Sequence, residues 1–398
     1  MEIGTGFSQN NNSMVAAHEA VEMAKVALKE HADLALVFCT PNLSSSSLLK
    51  VINEALPNTP IVGSSGKAVI SSGGILRHAV GIMLFAFLQK AGLHTAQVIN
   101  VARRAQLAGE EMGEKLTSGL KDYPRALSLI FSDQLAQASS NFIDGIHSRL
   151  GRNEPIIGIC PSGGSFLESH LYFNQFISSD ACIAAAIDNR LFFGIGASHG
   201  WKAIGRSCTV TKSENNTVEQ IDGAPATKLY HDYMGYDWAK LKNNLKLISC
   251  LYPLGILLPK DRGYLLRNPV SLGSTGSITF SGEVPQNATV RLMLGTKTTC
   301  LEAARQAAGE AKANFQACAQ ANAEGAKKAA VIFSSFSRYN LLGNDAHKEI
   351  EAVQEELGQD TPIIGTYSQA EIAPLSADKY RGQAYLHNQS ITVLILGS

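Results

Sequence analysis

The amino-acid sequence predicts an α/β protein: repeated βαβ units forming layered sheets in two domains, with a β-rich segment ahead of the third unit. Three observations predict it. One set of sequence words recurs three times in the same order. The strands bearing those words are continuous apolar runs, the pattern of strands buried on both faces. The chain has 398 residues, 45% apolar and 17% charged, which is long for one core and far from the composition of a disordered chain.

The first copy has a strand at 34–40 (LALVFCT), a helical stretch, a second strand at 59–65 (TPIVGSS) and a closing strand at 79–85 (AVGIMLF). The second reads 126–132 (ALSLIFS), a helix near 141–150, 154–160 (EPIIGIC) and 180–187 (DACIAAAI). The third reads 329–334 (AAVIFS), a helix near 345–357, 361–367 (TPIIGTY) and 390–396 (SITVLIL). From Phe38 to Gly63, Phe131 to Gly158 and Phe333 to Gly365 the spacing is 25, 27 and 32 residues, one unit with loop insertions. Each glycine ends a Pro-Ile-apolar word, where a tight turn or close backbone approach needs a missing Cβ.

Between the second and third copies the pattern changes. Residues 211–222 read as a polar hairpin, 224–235 as a helix with Pro225 in its first turn, and 299–323 as a long Ala-rich helix. The expected division is a first domain at 1–225, with repeats near 33–88 and 125–188. A second domain at 226–398 holds a β-rich segment at 246–295 and the third repeat at 329–397.

Composition excludes several functions. Lys plus Arg and Asp plus Glu are both 34, so no overall cationic surface exists to hold nucleic acid. The longest apolar run, 79–88, is too short for a bilayer core of about 30 Å, and the N-terminus lacks a signal-peptide pattern. Seven scattered cysteines without a CxxC read as reduced core thiols, not a disulfide frame or zinc site. A cytoplasmic location is expected.

Residues 196–205 (GASHGWKAIG), 209–212 (TVTK) and Asp222-Gly223 resemble the end of a FIST N-terminal domain. Residues 362–374 (PIIGTYSQAEIAP) and 386–394 (LHNQSITVL) resemble the end of a FIST C-terminal domain. The resemblance spans roughly residues 30–395. At 334–338 the sequence SSFSR keeps the arginine of the family's Ser-Cys-x-x-Arg pattern and lacks its cysteine. The resemblance implies a ligand-binding sensory module of bacterial signalling. Because the chain ends at Ser398, just past the last strand, the expectation is that it acts on a separate effector. Free-standing proteins of this size are similar to NosP-type haemoproteins. That implies haem b, nitric oxide or another diatomic gas as the signal, and a separate histidine kinase as partner, with homo-oligomerisation open.

For a haem iron, His199 is the first candidate, in a Gly-rich turn beside Trp201, whose indole could pack on a porphyrin. His387 and His170 follow, with Cys160-Pro161 as a thiolate alternative. No CxxCH is present, so covalent c-type attachment is excluded. For a small polar metabolite such as an amino acid, the carboxyl ends of the strands are the place to look. They offer Ser64, Ser162 and Tyr367, with Arg338 for a carboxylate and Glu371 for an amine. A third reading is a serine hydrolase: Gly196-Ala-Ser198-His-Gly200 matches G-x-S-x-G. A nucleophile elbow must turn into a helix, whereas β-prone sequence follows here, so the protein is expected not to be an enzyme.

Overall fold

Each recurrent segment lies inside a larger unit of one plan: an edge strand, a helix, the first repeat strand, a second helix, the second repeat strand, a hairpin and the closing strand. The computed structural model describes residues 1–29, 31–87, 91–120, 125–133, 139–161, 169–258, 263–320, 325–374 and 383–398. Unit one is β1 (Glu2–Ser8), α1 (Ser13–Lys25), β2 (Leu34–Cys39), α2 (Ser46–Ala55), β3 (Ile61–Ser65), β4 (Val69–Ser71), β5 (Gly74–Leu76) and β6 (Val80–Ala86). Unit two is β7 (Leu93–Ile99), α3 (Ala105–Gly119), β8 (Arg125–Ser132), α4 (Ser139–Leu150), β9 (Ile156–Cys160), β10 (Leu171–Phe173), β11 (Phe176–Ser178) and β12 (Ala181–Asp188).

Unit three starts with β13 (Phe192–Ser198) and is then interrupted by an insert. The insert comprises β14 (Lys202–Glu214), β15 (Thr217–Ile221), β16 (Ala224–Pro225), α5 (Thr227–Met234), α6 (Trp238–Asn243), α7 (Leu245–Leu251), β17 (Leu254–Leu258), β18 (Gly263–Arg267), β19 (Pro269–Leu272), β20 (Ile278–Phe280) and β21 (Thr289–Leu294). Its strands run β18-β17-β21-β14-β15-β20-β19 with β16 on β15, around a core of their own that includes Val210, Tyr230 and Phe280. The unit resumes with α8 (Lys297–Ala319), β22 (Lys328–Ser335), α9 (Phe336–Leu342), α10 (His347–Leu357), β23 (Ile363–Ser368), β24 (Ala370–Pro374), β25 (Ala384–His387) and β26 (Ile391–Gly397).

The three units build three six-stranded sheets, ordered β1-β6-β2-β3-β10-β11, β7-β12-β8-β9-β24-β25 and β13-β26-β22-β23-β4-β5. The two repeat strands pair in parallel and their neighbours antiparallel. No hairpin completes its own unit's sheet. Unit one lends β4 and β5 to unit three, unit two lends β10 and β11 to unit one, and unit three lends β24 and β25 to unit two.

The correspondence extends to single bonds. The amides of Thr40, Asp133 and Ser335 donate to the carbonyls of Ala79, Ala181 and Ser390 at 2.9, 3.0 and 2.9 Å. The residues before those acceptors, His78, Asp180 and Gln389, all take a left-handed φ, of 61°, 50° and 62°. A Cβ on Gly63, Gly158 or Gly365 would sit 1.9, 1.7 or 1.9 Å from the carbonyl oxygen of Val37, Ile130 or Ile332. The repeated glycine is thus a close-approach residue between parallel strands.

Inner sheet faces meet in one core, with Phe38, Phe131 and Phe333 in mutual contact at ring-centroid distances of 6.0 Å. Outer faces pack on the helices in three further clusters. Both faces are buried, which accounts for the unbroken apolar runs. The helix expected at 299–323 runs Lys297–Ala319, opened by a Thr296/Thr299 capping box; 321–323 lie outside the described residues. Its alanine face sits so close to β13 that a Cβ on Gly194 or Gly196 would lie 2.0 Å from a helix carbonyl. The sheets also cut the chain differently from a division at 225, because β13 pairs along its whole length with β26.

Candidate ligand-binding site

Arg338, in the first turn of α9, is wholly buried. Its Nε donates to Glu349 Oε1 at 2.7 Å, and Nη2 lies 2.7 Å from the same oxygen. Nη1 donates to His199 O and Nη2 to Cys300 O, each at 2.7 Å. Glu349 Oε2 accepts from Ser334 and Tyr367 hydroxyls at 2.9 and 2.8 Å. Four of its five N–H groups are thereby taken, so at most one Nη1 proton remains and the bidentate grip expected on a ligand carboxylate is not available. Tyr367, held by the same carboxylate, is equally enclosed, and burial pushes its phenol well above the ordinary range.

Glu371 on β24 accepts from Ser368 and Ser390 hydroxyls at 2.9 and 2.6 Å. Burial pushes its carboxyl up to about 8, with those hydrogen bonds opposing. It is a buried neutral acid at pH 7, not the anion expected to meet a ligand amine. Ser64 is buried on β3, and its hydroxyl has no hydrogen-bond partner among the described residues. Ser162 lies outside the described residues.

Neither His199 nor His387 offers Nε2 as a free lone pair to a haem iron. Trp201 N donates to His199 Nδ1 at 3.0 Å, which places the neutral ring's proton on Nε2, the atom that would have to face iron with a lone pair. His387 is buried with Nε2 2.9 Å from Ala373 O, so the same nitrogen serves as a donor there. Burial drives both rings away from protonation, His199 to about 3 and His387 to about 4. The neighbouring His387, Arg338 and Lys202 lower His199 further. Trp201 is 2% exposed and donates to Cys250 O, so it presents no open face to a porphyrin. His170 Nδ1 lies 2.7 Å from Ser44 Oγ, in unit one, away from this cluster. Cys160, at the end of β9, is buried, and its carbonyl accepts from Gln369 N. Among the described residues no group of three or more His, Cys, Asp or Glu could hold a metal ion.

The serine motif is also explained by packing. Gly196 admits helix α8, Ser198 Oγ donates to Gln306 at 3.2 Å, and strand β14 follows where an elbow needs a helix.

A different residue brings an unmatched charge to a cavity. Arg267 ends β18 and is 3% exposed. Its Nε donates to Glu283 O at 3.0 Å, and its Nη1 to Leu266 O and Leu386 O at 2.8 and 2.9 Å, with Asn388 Oδ1 at 3.4 Å. Nη2 has no hydrogen-bond partner among the described residues, and no carboxylate pairs with the guanidinium there. Burial lowers its pKa to about 10. A buried cation satisfied only by carbonyls is costly, and a ligand anion would compensate it.

The cavity beside it, about 140 Å³, is walled by Ile143 of α4, Ile256 and Leu265 of the insert, and Tyr385 of the lent hairpin. Glu283 completes the wall; its Oε2 accepts from the amide and hydroxyl of Ser140 in the first turn of α4. The position favours a carboxylate through the helix dipole, yet burial, the largest influence, raises its pKa. Three parts of the molecule meet here: the insert, unit two through α4, and unit three through β25. From Arg267 the contacts continue inward. Asn388 also accepts from Ser281 at 2.8 Å, and Ser390, two residues on, donates to Glu371. The sequence signal for this site was a lone arginine closing an apolar strand, Leu265-Leu266-Arg267, ahead of Asn268-Pro269.

The FIST N domain family model matches residues 33–224 and the FIST C domain model residues 226–374. The chain belongs to the FIST family, whose domains are associated with sensing of small ligands in signal transduction. The uncharacterized protein MJ1623 of Methanocaldococcus jannaschii is 24% identical over 223 residues. Those residues are 52% of this chain and 41% of that relative, so the match covers about two-fifths of the relative's length. Among solved structures, T. maritima PurL complexed with FGAR aligns over 99% of this chain and 72% of its own at 10% identity, with a TM-score of 0.23. PurLQS from Thermotoga maritima aligns over the same shares at 9% identity, with a TM-score of 0.21. Superpositions this loose carry no argument. No helix among the described residues is long and apolar enough to cross a membrane.

Proposed function

We propose that this chain is a non-enzymatic sensor of a small carboxylate-bearing metabolite, bound at the seam between the insert and the three-unit body. The observation that supports it is Nη2 of buried Arg267 at the seam cavity, which has no hydrogen-bond partner among the described residues. An anion there would neutralise the guanidinium that bonds to Leu386 O of β25 and to Asn388 just past its end. Because α4, β25 and the insert all line the cavity, occupancy would change how the insert sits on the body. A separate signalling effector, such as a histidine kinase, would read the altered surface.

A cavity of about 140 Å³ is near the size that holds a benzene-sized molecule of about six heavy atoms, several times too small for a porphyrin. The test is a thermal-shift screen of small mono- and dicarboxylates, run beside haemin. Stabilisation by a small carboxylate, lost in Arg267→Lys, is the expected result. Stoichiometric haem uptake with a nitric-oxide-sensitive Soret band, and no response to any carboxylate, would overturn the reading in favour of a haem sensor.

A further inference from the structure

The outer side of the insert joins exposed apolar side chains to unmatched positive charge. Residues 237–247 (DWAKLKNNLKL) hold three lysines against one aspartate, in a chain of zero net charge. Lys240, Lys242 and Lys246 are exposed, and none pairs with a carboxylate among the described residues. The nearest acids are engaged elsewhere: Asp237 caps α6 by accepting from Lys240 N at 2.8 Å, and Asp232 is held by Lys228. The apolar residues of the two short helices divide. Leu241 and Ile248 bury into the insert's core, whereas Trp238 and Leu247 stay outside it. Val270 of β19, the last strand of the insert's sheet, is exposed beside them. Trp238 Nε1 donates to Gly273 O just past β19 at 3.3 Å, and α7, which carries Leu247, packs along the same strand.

Trp238 is fixed before anything touches it: the bond to Gly273 holds its polar edge, and Lys242 Nζ lies 4.9 Å from the ring centroid. A large side chain held in place loses little entropy on association, and tryptophans so placed carry much of the energy of protein contacts. Charge decides what covers it. A second copy in a two-fold contact would set the patch on itself, lysines against lysines. A nucleic acid or an anionic membrane would answer the lysines, but the clasped indole is not free to stack on a base or sink among lipids, and Leu247 and Val270 offer nothing to a phosphate backbone. A protein carboxylate that draws Lys242 aside uncovers the indole for an apolar neighbour in the same step. We infer that the face formed by Trp238, Leu247 and Val270 docks an acidic amphipathic protein segment, whose carboxylates meet Lys240, Lys242 and Lys246 while its apolar side chains cover the indole. None of these residues lines the seam cavity, so the surface stands whether or not that cavity takes a carboxylate.

The chain has two tryptophans, and Trp201 is 2% exposed against 42% for Trp238, so a change in indole emission on binding reports on Trp238. The test titrates the full chain with a synthetic Glu/Leu amphipathic helical peptide, a matched Lys/Leu peptide, phosphatidylserine vesicles and a DNA oligonucleotide. Trp238→Phe identifies the signal, and Lys242→Glu combined with Lys246→Glu reverses the charge at exposed positions. The expected result is a saturable change with the Glu/Leu peptide, absent in Trp238→Phe, and none with the Lys/Leu peptide. Charge reversal should weaken the binding roughly tenfold, and added salt should weaken it further. No response to the Glu/Leu peptide, an equal response to both peptides, or an affinity indifferent to charge reversal would overturn the docking surface. Tighter binding of the vesicles or the DNA than of the peptide would overturn it in favour of a lipid or nucleic-acid surface. Sedimentation showing a dimer that dissociates in Trp238→Ala would overturn it in favour of a second copy of this chain.

Discussion

Arg338 and Glu349 form an ion pair at 2.7 Å with both side chains fully enclosed. The pair joins α9 to α10, and the remaining guanidinium arms bond to His199 O and Cys300 O. Removing one member of such a pair strands the other charge in a dry interior. Arg338→Leu is therefore expected to cost about 3–5 kcal/mol, read as a lowered urea midpoint. In whatever fraction folds, ligand affinity at the seam should be retained. A mutant of wild-type stability would refute this assignment.

The Phe38, Phe131 and Phe333 rings are the point where all three units touch. Truncating any one opens a cavity bounded by the other two. Phe333→Ala should lose about 3–5 kcal/mol, with Phe38→Ala and Phe131→Ala of similar size. A mutational series followed by chemical denaturation checks this; a large inequality among the three would mean that the units do not share the core evenly.

Stability should peak near pH 6.5. His387 and His199 titrate near 4 and 3 in the folded chain against 6.5 when free. As pH falls below 6.5 the unfolded chain takes up protons that the native one refuses, and stability drops. Glu371 behaves oppositely, near 8 folded against 4.5 free. Between those values the native chain holds a proton that the unfolded chain has lost, so stability falls as pH rises toward 8. Each group contributes a slope of about 1.4 kcal/mol per pH unit inside its window. Glu371→Gln should flatten the alkaline side and His387→Gln should shallow the acid side, as measured by melting temperature from pH 4 to 9.

Gly282→Ala would push a methyl group against the Arg267 guanidinium. The expected outcome is at least a tenfold loss of ligand affinity with only a small loss of stability, because the side chain can swing away but the site cannot keep its geometry. Calorimetric titration beside thermal unfolding separates the two effects. An unchanged affinity would show that Arg267 does not hold the ligand.

Much of the fold was legible because it is written locally. The words around Phe38, Phe131 and Phe333 name the parallel strands, and Gly63, Gly158 and Gly365 mark where those strands approach most closely. The leading strand and helix of each unit escaped the sequence reading, since the Gly-x-Gly-x-Ser word that β1 and β13 share, at Gly4-Thr-Gly6 and Gly194-Ile-Gly196, is missing from β7. The exchanged hairpins were hidden for a deeper reason: Ile70 pairs with Gly365, and no local pattern encodes a partner so far along the chain. At the site, the sequence showed Arg338 and Glu371 as charges at strand ends, but not that Glu349 would fold beneath the first or that burial would neutralise the second. Arg267 was overlooked because a single arginine in a β-rich stretch resembles any surface residue until its surroundings close over it.

The lending of hairpins from one to three, three to two and two to one sets the copy number of this architecture. A lone unit would hold a hairpin with nowhere to dock and a sheet with an open side. Two units could exchange with each other but would bring only two of the three phenylalanines together. A fourth unit would have to break the circle before it could join. Unlike a solenoid, which grows or shrinks by a repeat and remains stable, this chain can change its loops and its insert, but it can count only to three.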